Sequence, residues 1–227
     1  MRTNVYIDGF NLYYGLLRGG PFKWLDLERF CEQLLPKNDV RRICYFTAKV
    51  DARPHNPGQP ARQLAYLRAL DTLPRVETYF GTFMASVVRQ PLVETDPINP
   101  RRWRMDAKAP ALKTDAGGAV VTDWVLKTEE KGSDVNLAAH LLRDAYRGDC
   151  QCAVVISNDS DLLTPIRMAK ADCGLTIGLV PPRARGSIEL KSLADFKVDP
   201  RRHILAASQF PDTLADVHGH IQKPADW

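Results

Sequence analysis

The sequence alternates short, apolar, β-rich runs with segments of helical periodicity. The apolar runs lie at 4–8, 41–50, 76–83, 152–157 and 175–180. Apolar residues recur at helical spacing within 26–35, 61–73 and 133–146, and a further helix extends to about Ala171. Strand-helix alternation of this kind predicts a mainly parallel α/β sheet with helices on both faces.

Composition is typical of a globular protein, because 44% of the 227 residues are hydrophobic and 26% are charged. No apolar run reaches the ~18 residues of a membrane span, and the N-terminus shows no signal-peptide pattern. The five cysteines are scattered and odd in number, which favours reduced thiols. We therefore expect a cytoplasmic protein with no membrane partner.

One stretch interrupts the alternation. Residues 84–126 contain prolines, a Gly-Gly pair and few large apolar side chains, and they predict a hairpin-like, basic insertion rather than a separate domain. The insertion then belongs to one α/β domain over 1–205. Residues 206–227 show no sustained periodicity and are predicted to be a tail, ordered only where Phe210 or Leu214 docks.

Acidic residues fall where strands of such a sheet end. Parallel α/β sheets bind ligands beyond the carboxyl ends of their strands. Asp8 ends the first apolar run, and Asp159 and Asp161 follow the run that ends near 157. Ser133 resembles a helix N-cap, which places Asp134 in the first turn on the core side. Each acid alone suits an ordinary cap or turn, but together they predict a cluster at one sheet edge.

Four carboxylates in one pocket repel each other and raise each other's pKa values. A divalent cation removes that cost, and Mg²⁺ or Mn²⁺ prefers such oxygen ligands. We therefore expect Mg²⁺ or Mn²⁺ to be bound by Asp8, Asp134, Asp159 and Asp161. Asn11 lies three positions beyond Asp8, where its amide could orient a carboxylate or a phosphate. An Asx-turn or a helix cap is the alternative for Asn11.

A basic cluster lies in the insertion. The segment RRWRMDAK places Arg101, Arg102 and Arg104 around Trp103, in a chain of net charge +4. Basic side chains interleaved with an aromatic ring suit a phosphate backbone and a stacked base. The alternative is an ordinary solvated loop.

Three segments carry a family resemblance: YIDGFNLYYGL, EEKGSDVNLAAHLL and VISNDSDLLTPIRMAKADCGLTIGLV. In this order they resemble the NYN domain of the PIN-like nucleases, in its bacterial LabA-like branch, over residues 3–205 without the insertion. The resemblance implies a PIN-like fold, with a three-layer α/β/α, doubly wound core, and a metal-dependent ribonuclease. It assigns Asp8, Asp134, Asp159 and Asp161 as the acidic set, with Asn11 beside them. Asn158 replaces the family's usual glycine, and His140 stands where many members carry another acid.

The sequence-based prediction is thus a Mg²⁺- or Mn²⁺-dependent endoribonuclease that hydrolyses single-stranded or structured RNA. Its catalytic residues would be the four aspartates and Asn11. The predicted RNA contacts are Arg101, Arg102, Trp103, Arg104, Lys131 and Ser160. Two alternatives stay open, namely a non-catalytic RNA- or partner-binding module and a metal-dependent phosphatase. Homo-oligomer formation also stays open.

Overall fold

The computed structural model describes residues 1–52, 56–99, 101–106, 108–183 and 187–227. The strands are β1 (Arg2–Asp8), β2 (Asp39–Ala48), β3 (Val76–Pro91), β4 (Met105–Asp106), β5 (Ala109–Pro110), β6 (Thr122–Lys131), β7 (Cys152–Ile156), β8 (Thr176–Leu179), β9 (Phe196–Lys197), β10 (Thr213–Asp216) and β11 (Gly219–Gln222). The α-helices are α1 (Gly9–Leu12), α2 (Leu27–Leu34), α3 (Gln59–Leu70), α4 (Ser133–Arg147), α5 (Leu163–Cys173), α6 (Ile188–Leu193) and α7 (Arg202–Ala207). A π-helical turn covers Tyr13–Leu17, and a 3₁₀ turn covers Ser160–Leu162.

A seven-stranded sheet forms the centre of the fold, in the order β6-β3-β2-β1-β7-β8-β9. β1 pairs in parallel with both β2 and β7, and β8 and β9 continue in parallel beyond β7. The strand order therefore reverses between β1 and β7, which is the position where open α/β sheets bind ligands. The prediction of a mainly parallel α/β sheet flanked by helices is confirmed.

Two hydrophobic cores cover the two faces of the sheet. Alternate residues of a strand point to opposite faces, so Val5 and Ile7 join the core that contains Phe30 of α2. Tyr6, which lies between them, joins the other core with Leu137 of α4. Burial on both faces accounts for the unbroken apolar character of the central strands.

The beginning of α4 differs from the prediction. Its N-cap is Gly132, which has a φ of 93°, and Ser133 is the first helical residue. The backbone N–H of Ser133 donates to Glu130 Oε1 at 2.9 Å, so the glutamate side chain provides the capping acceptor. Asp134 still lies in the first turn, as predicted.

The chain after residue 206 forms an antiparallel hairpin of β10 and β11. Phe210 and Ile221 are buried in the core that contains Trp24. The sequence analysis predicted no regular element here, because each strand is four residues long and too short to show a period.

Residues 84–129 form a compact unit of their own, and residues 1–83 with 130–227 form the other. The smaller unit contains the distal parts of β3 and β6 and the short β4-β5 pair. Its strand-like bridges include Val93 with Leu112 and Thr114 with Val120. Within the described residues, no helix has the length and apolarity required to cross a membrane.

Candidate functional site

Asp8 is the last residue of β1 and is almost fully buried. It caps α1, because its Oδ1 accepts a 2.9 Å hydrogen bond from the backbone N–H of Asn11. The Asn11 side-chain amide and the Ser157 hydroxyl both donate to Oδ2. Burial raises the pKa of Asp8, and these hydrogen bonds oppose that shift. Asp8 is thus both the N-cap of α1 and a buried carboxylate held by neutral donors.

The loop after β7 comes to the same sheet edge. Ser157, which is fully buried, accepts a 3.0 Å hydrogen bond from the backbone N–H of Asp159 while its hydroxyl donates to Asp8. Asp159 caps the 3₁₀ turn by accepting from the backbone N–H of Asp161 at 3.0 Å. The backbone N–H of Asn158 donates to Asn11 Oδ1 at 3.4 Å. These bonds fix Asp159 relative to Asp8 across the β1-β7 boundary.

Three of the four predicted acids meet. Asp8, Asp134 and Asp159 each offer one carboxylate oxygen, and these oxygens lie within 4.8 Å of one another. Partial burial, followed by the negative charges of neighbouring acids, raises the pKa of Asp134 to about 7. Among these acids Asp8 has the largest effect on the pKa of Asp134, and Asp159 has the next largest. This close set of oxygens, with its unfavourable charge, fits a divalent cation.

The remaining predicted site residues are placed differently. Asp161 is exposed in the 3₁₀ turn and, within the described residues, lies outside the group of three acids. Its charge still contributes to the raised pKa of Asp134. Ser160 is exposed in the same turn, and Lys131 is exposed at the end of β6.

The predicted nucleic-acid contacts of the insertion lie in the smaller unit. Arg101, Arg102 and Trp103 are exposed there, and Arg104 forms a 2.8 Å ion pair with Glu94. RNA binding by these residues stays a prediction.

An aromatic cleft adjoins the acidic group and was not anticipated from sequence. Its apolar wall is formed by Phe10, Tyr13, Tyr14, Tyr45, Tyr66 and Trp227. Gly9, the residue after Asp8, is part of its lining. A Cβ at Gly9 would lie 2.7 Å from Tyr45 Cζ, so the glycine allows the Tyr45 ring to pack against the backbone beside Asp8.

The site also contains Ser157, beside Asp8, and Arg62, in the lining of the aromatic cleft, and neither was predicted from sequence. Ser157 is a small polar residue directly after a buried strand, which is typical of a ligand-binding edge but equally of a turn. Arg62 lies in α3, where nothing local distinguishes it from other surface cations.

Comparisons with known proteins bear on what this arrangement does. No model of a known protein family matches the chain. In an alignment 254 positions long, the chain is 34% identical to the 6-hydroxy-3-succinoylpyridine 3-monooxygenase HspA of Pseudomonas putida (strain DSM 28022 / S16). The alignment covers 100% of this chain and 75% of the relative. The chain belongs to the family of that monooxygenase.

A solved structure has the same general fold. It is a protein of unknown function, VPA0982, from Vibrio parahaemolyticus RIMD 2210633, with a TM-score of 0.51 and 17% sequence identity. The match covers 88% of this chain and 93% of the other. At this identity it supports the fold alone.

The family relationship overturns the predicted activity. The relative is a monooxygenase, which is an oxidoreductase, so the prediction of an endoribonuclease hydrolysing phosphodiester bonds is wrong. The prediction failed because clustered carboxylates indicate a cation-binding or acid-rich site but do not determine which reaction takes place there. Three of the four predicted acids meet at the sheet edge and Asp161 does not join them, while the predicted chemistry was inferred from a resemblance.

Proposed function

We propose that this protein is a monooxygenase that acts on a hydroxylated aromatic or nitrogen-heteroaromatic ring. The observation that carries the proposal is the 34% identity to a 6-hydroxy-3-succinoylpyridine 3-monooxygenase across the whole of this chain. An aromatic-lined cleft supports it, together with the nearby group of three acids, of which Asp8 is buried and Asp134 and Asp159 are partly buried. Small-molecule sites are commonly apolar clefts with a few convergent polar groups.

The reaction requires two co-substrates besides the ring compound. One oxygen atom of O₂ enters the substrate, and the other leaves as water after taking two electrons and two protons. We propose that a diffusible two-electron donor of the nicotinamide or reduced-flavin class supplies the electrons. The aromatic residues bind and orient the ring and exclude water, while Asn11 and Ser157 hold the Asp8 carboxylate in place.

We also propose that Asp8, Asp134 and Asp159 hold Mg²⁺ or Mn²⁺. The donor set fits, because its oxygens lie within 4.8 Å of one another and carboxylates are preferred ligands of these ions. A cation there would offset the charge of the acids and attract an ionised ring hydroxyl of the substrate. Asp134 would bind it in competition with a proton, since the pKa of Asp134 is raised to about 7.

A PIN-like classification of the fold belongs to the same proposal. The resemblance of three sequence segments to NYN domains supports it, as does the convergence of Asp8, Asp134 and Asp159 at the carboxyl edge of the sheet. One fold can carry unrelated activities, so a PIN-like framework is compatible with a monooxygenase reaction.

Oxygen consumption tests the proposed function. The purified protein is incubated with 6-hydroxy-3-succinoylpyridine, Mn²⁺ or Mg²⁺, and NADH, NADPH or reduced flavin in separate reactions under ¹⁸O₂. We expect substrate-dependent O₂ uptake and one labelled oxygen atom in the product. Asp8→Asn is expected to abolish both, whereas Asp149→Asn, an exposed acid after α4, is expected to retain them. Absence of labelled product with all three donors would contradict the proposal.

A further inference from the structure

The aromatic cleft contains one end of an ion pair, the guanidinium group of Arg62, whose acidic partner is Asp226. The cleft has a volume of about 80 Å³ and opens to solvent at its mouth. Tyr66 and Trp227 form a pair within its wall, with ring centroids 5.9 Å apart. Arg62 of α3 is part of the lining, and 24% of its side chain is exposed. The cleft therefore combines flat apolar surface with a sheltered guanidinium group.

The local backbone leaves room for this guanidinium. A Cβ at Gly58 would lie 2.8 Å from Arg62 Nη1, so a larger residue there would displace the group. Arg62 Nη2 donates to the side-chain oxygen of Asn56. A guanidinium carries five N–H donors in a planar fork, so the bond to Asn56 leaves further donors for a ligand.

Asp226 is the acid that faces Arg62. Its Oδ2 lies 3.4 Å from Arg62 Nη1, and 62% of its side chain is exposed. A charge-assisted hydrogen bond of good geometry is about 2.7–2.9 Å long, and exposed ion pairs contribute little to stability. A ligand carboxylate placed bidentately on the fork would thus replace a long, exposed contact with a shorter, sheltered one.

We propose that the cleft selects planar aromatic or heteroaromatic carboxylates. The ring packs against the aromatic wall, and the carboxylate binds Arg62 in place of Asp226. Lys23, whose Nζ lies 3.5 Å from the backbone oxygen of Asp226, adds a second positive charge at the same end of the cleft. The inference rests on the proposed function in one respect, namely that the cleft is the substrate site. Its test is a binding measurement.

The experiment compares two probes of the same shape by isothermal titration calorimetry. Pyridine-3-carboxylate carries the charge, and pyridine-3-carboxamide is its neutral counterpart. We expect the wild-type protein to bind the carboxylate about tenfold or more tighter than the amide, since charge-assisted hydrogen bonds exceed neutral ones by that order. Arg62→Gln should remove this preference and leave the amide affinity unchanged.

The variant Asp226→Asn tests the direction of the change in carboxylate affinity. It removes the competing acid, so carboxylate affinity should rise severalfold while amide affinity stays the same. Arg62→Lys keeps the charge without the fork and should retain part of the preference. Arg41→Gln, which removes an exposed cation of β2, is the matched control and should change nothing.

Three results of the titrations would overturn the inference: binding of neither probe, equal affinity of wild type for both, or a weakening of carboxylate binding by Asp226→Asn. Thermal melts of each variant confirm that the fold is kept. Selective carboxylate binding without O₂ uptake supports the inference and contradicts the proposed function. O₂ uptake with an unchanged KM in Arg62→Gln supports the function and contradicts the inference.

Discussion

The hydroxyl of Ser157 donates a 3.0 Å hydrogen bond to the carboxylate of Asp8, although the two residues are 149 positions apart in the sequence. The bond crosses the boundary between β1 and β7, where the strand order reverses. Ser157 also accepts from the backbone N–H of Asp159, so one buried hydroxyl orients two of the three clustered acids. The position of the acidic group therefore depends on a residue that is not itself acidic.

Replacing Ser157 with alanine tests this arrangement. The change leaves the buried Asp8 carboxylate without one donor and the partly buried Asp159 N–H without its acceptor. We expect a loss of about 1–3 kcal/mol in the free energy of unfolding, measured by urea denaturation. Ser160→Ala, at an exposed position two residues after Asn158, should change it little. Equal midpoints for Ser157→Ala and wild type would show that the bond contributes nothing.

The proposed cation site predicts stabilisation by metal. A ligand that binds only the folded state adds RT ln(1 + [M]/Kd), about 2.7 kcal/mol at a hundredfold excess over Kd. For a domain of this size each kcal/mol raises Tm by ~2–4 °C. Millimolar Mn²⁺ should therefore raise the Tm by several degrees relative to EDTA.

The variant Asp8→Asn should lose most of this gain, because it removes a buried member of the group. Asp149→Asn, with an exposed acid elsewhere, should keep it. Differential scanning calorimetry of the three proteins gives the answer. The same metal response in Asp8→Asn and wild type would exclude Asp8 as a ligand.

The raised pKa of Asp134 predicts how stability depends on pH without metal. The folded state keeps the Asp134 proton up to a pKa of about 7, whereas the unfolded chain loses it near the ordinary value of 3.8. Between these values the native state binds more protons, so stability falls as pH rises and levels off above about pH 7. Asp134→Asn should flatten this decline, measured by urea unfolding between pH 5 and pH 8 in EDTA. A profile parallel to that of wild type would contradict the shift.

The sequence predicted the framework better than the site, for physical reasons. A buried parallel strand such as Cys152–Ile156 shows its environment in its own apolar composition, so the sheet could be predicted. Asp8 ends β1 and Asp159 lies in the loop after the neighbouring β7, so their proximity followed from sheet topology. The partnership of Arg62 with Asp226 depends on how distant segments pack, which local periodicity does not encode.

Function was the property that was hardest to predict from the sequence. Carboxylates at the carboxyl edge of a parallel sheet are compatible with several reactions, and the residues that form the cleft come from segments as distant as Tyr13 and Trp227. The ribonuclease prediction rested on three motifs that surround the acids. The first motif contains Phe10, Tyr13 and Tyr14 of the cleft wall. None of the three contains Tyr45, Arg62 or Trp227, which also line the cleft.

The last prediction concerns Asp144, a fully buried acid that links the elements carrying Asp8 and Asp134. It lies on α4 and accepts a 2.8 Å hydrogen bond from the hydroxyl of Tyr6 on β1. Arg42 on β2 approaches the same carboxylate at 3.3 Å, and 19% of the Arg42 side chain is exposed. Arg143 pairs with the other oxygen at 2.9 Å. The carboxylate therefore ties two strands to the helix that presents Asp134.

Asp144→Ala leaves the Tyr6 hydroxyl and the Arg42 guanidinium without this acceptor. We expect a loss of about 3–5 kcal/mol in the free energy of unfolding, the range for breaking a buried ion pair by removing one partner. Tyr6→Phe removes only the hydroxyl and should cost about 0.5–1.5 kcal/mol. Since the two residues share one bond, the double variant should lose less than the sum of the single losses. Additive losses in urea unfolding, or a loss below about 1 kcal/mol for Asp144→Ala, would show that the network does not hold β1 and α4 together.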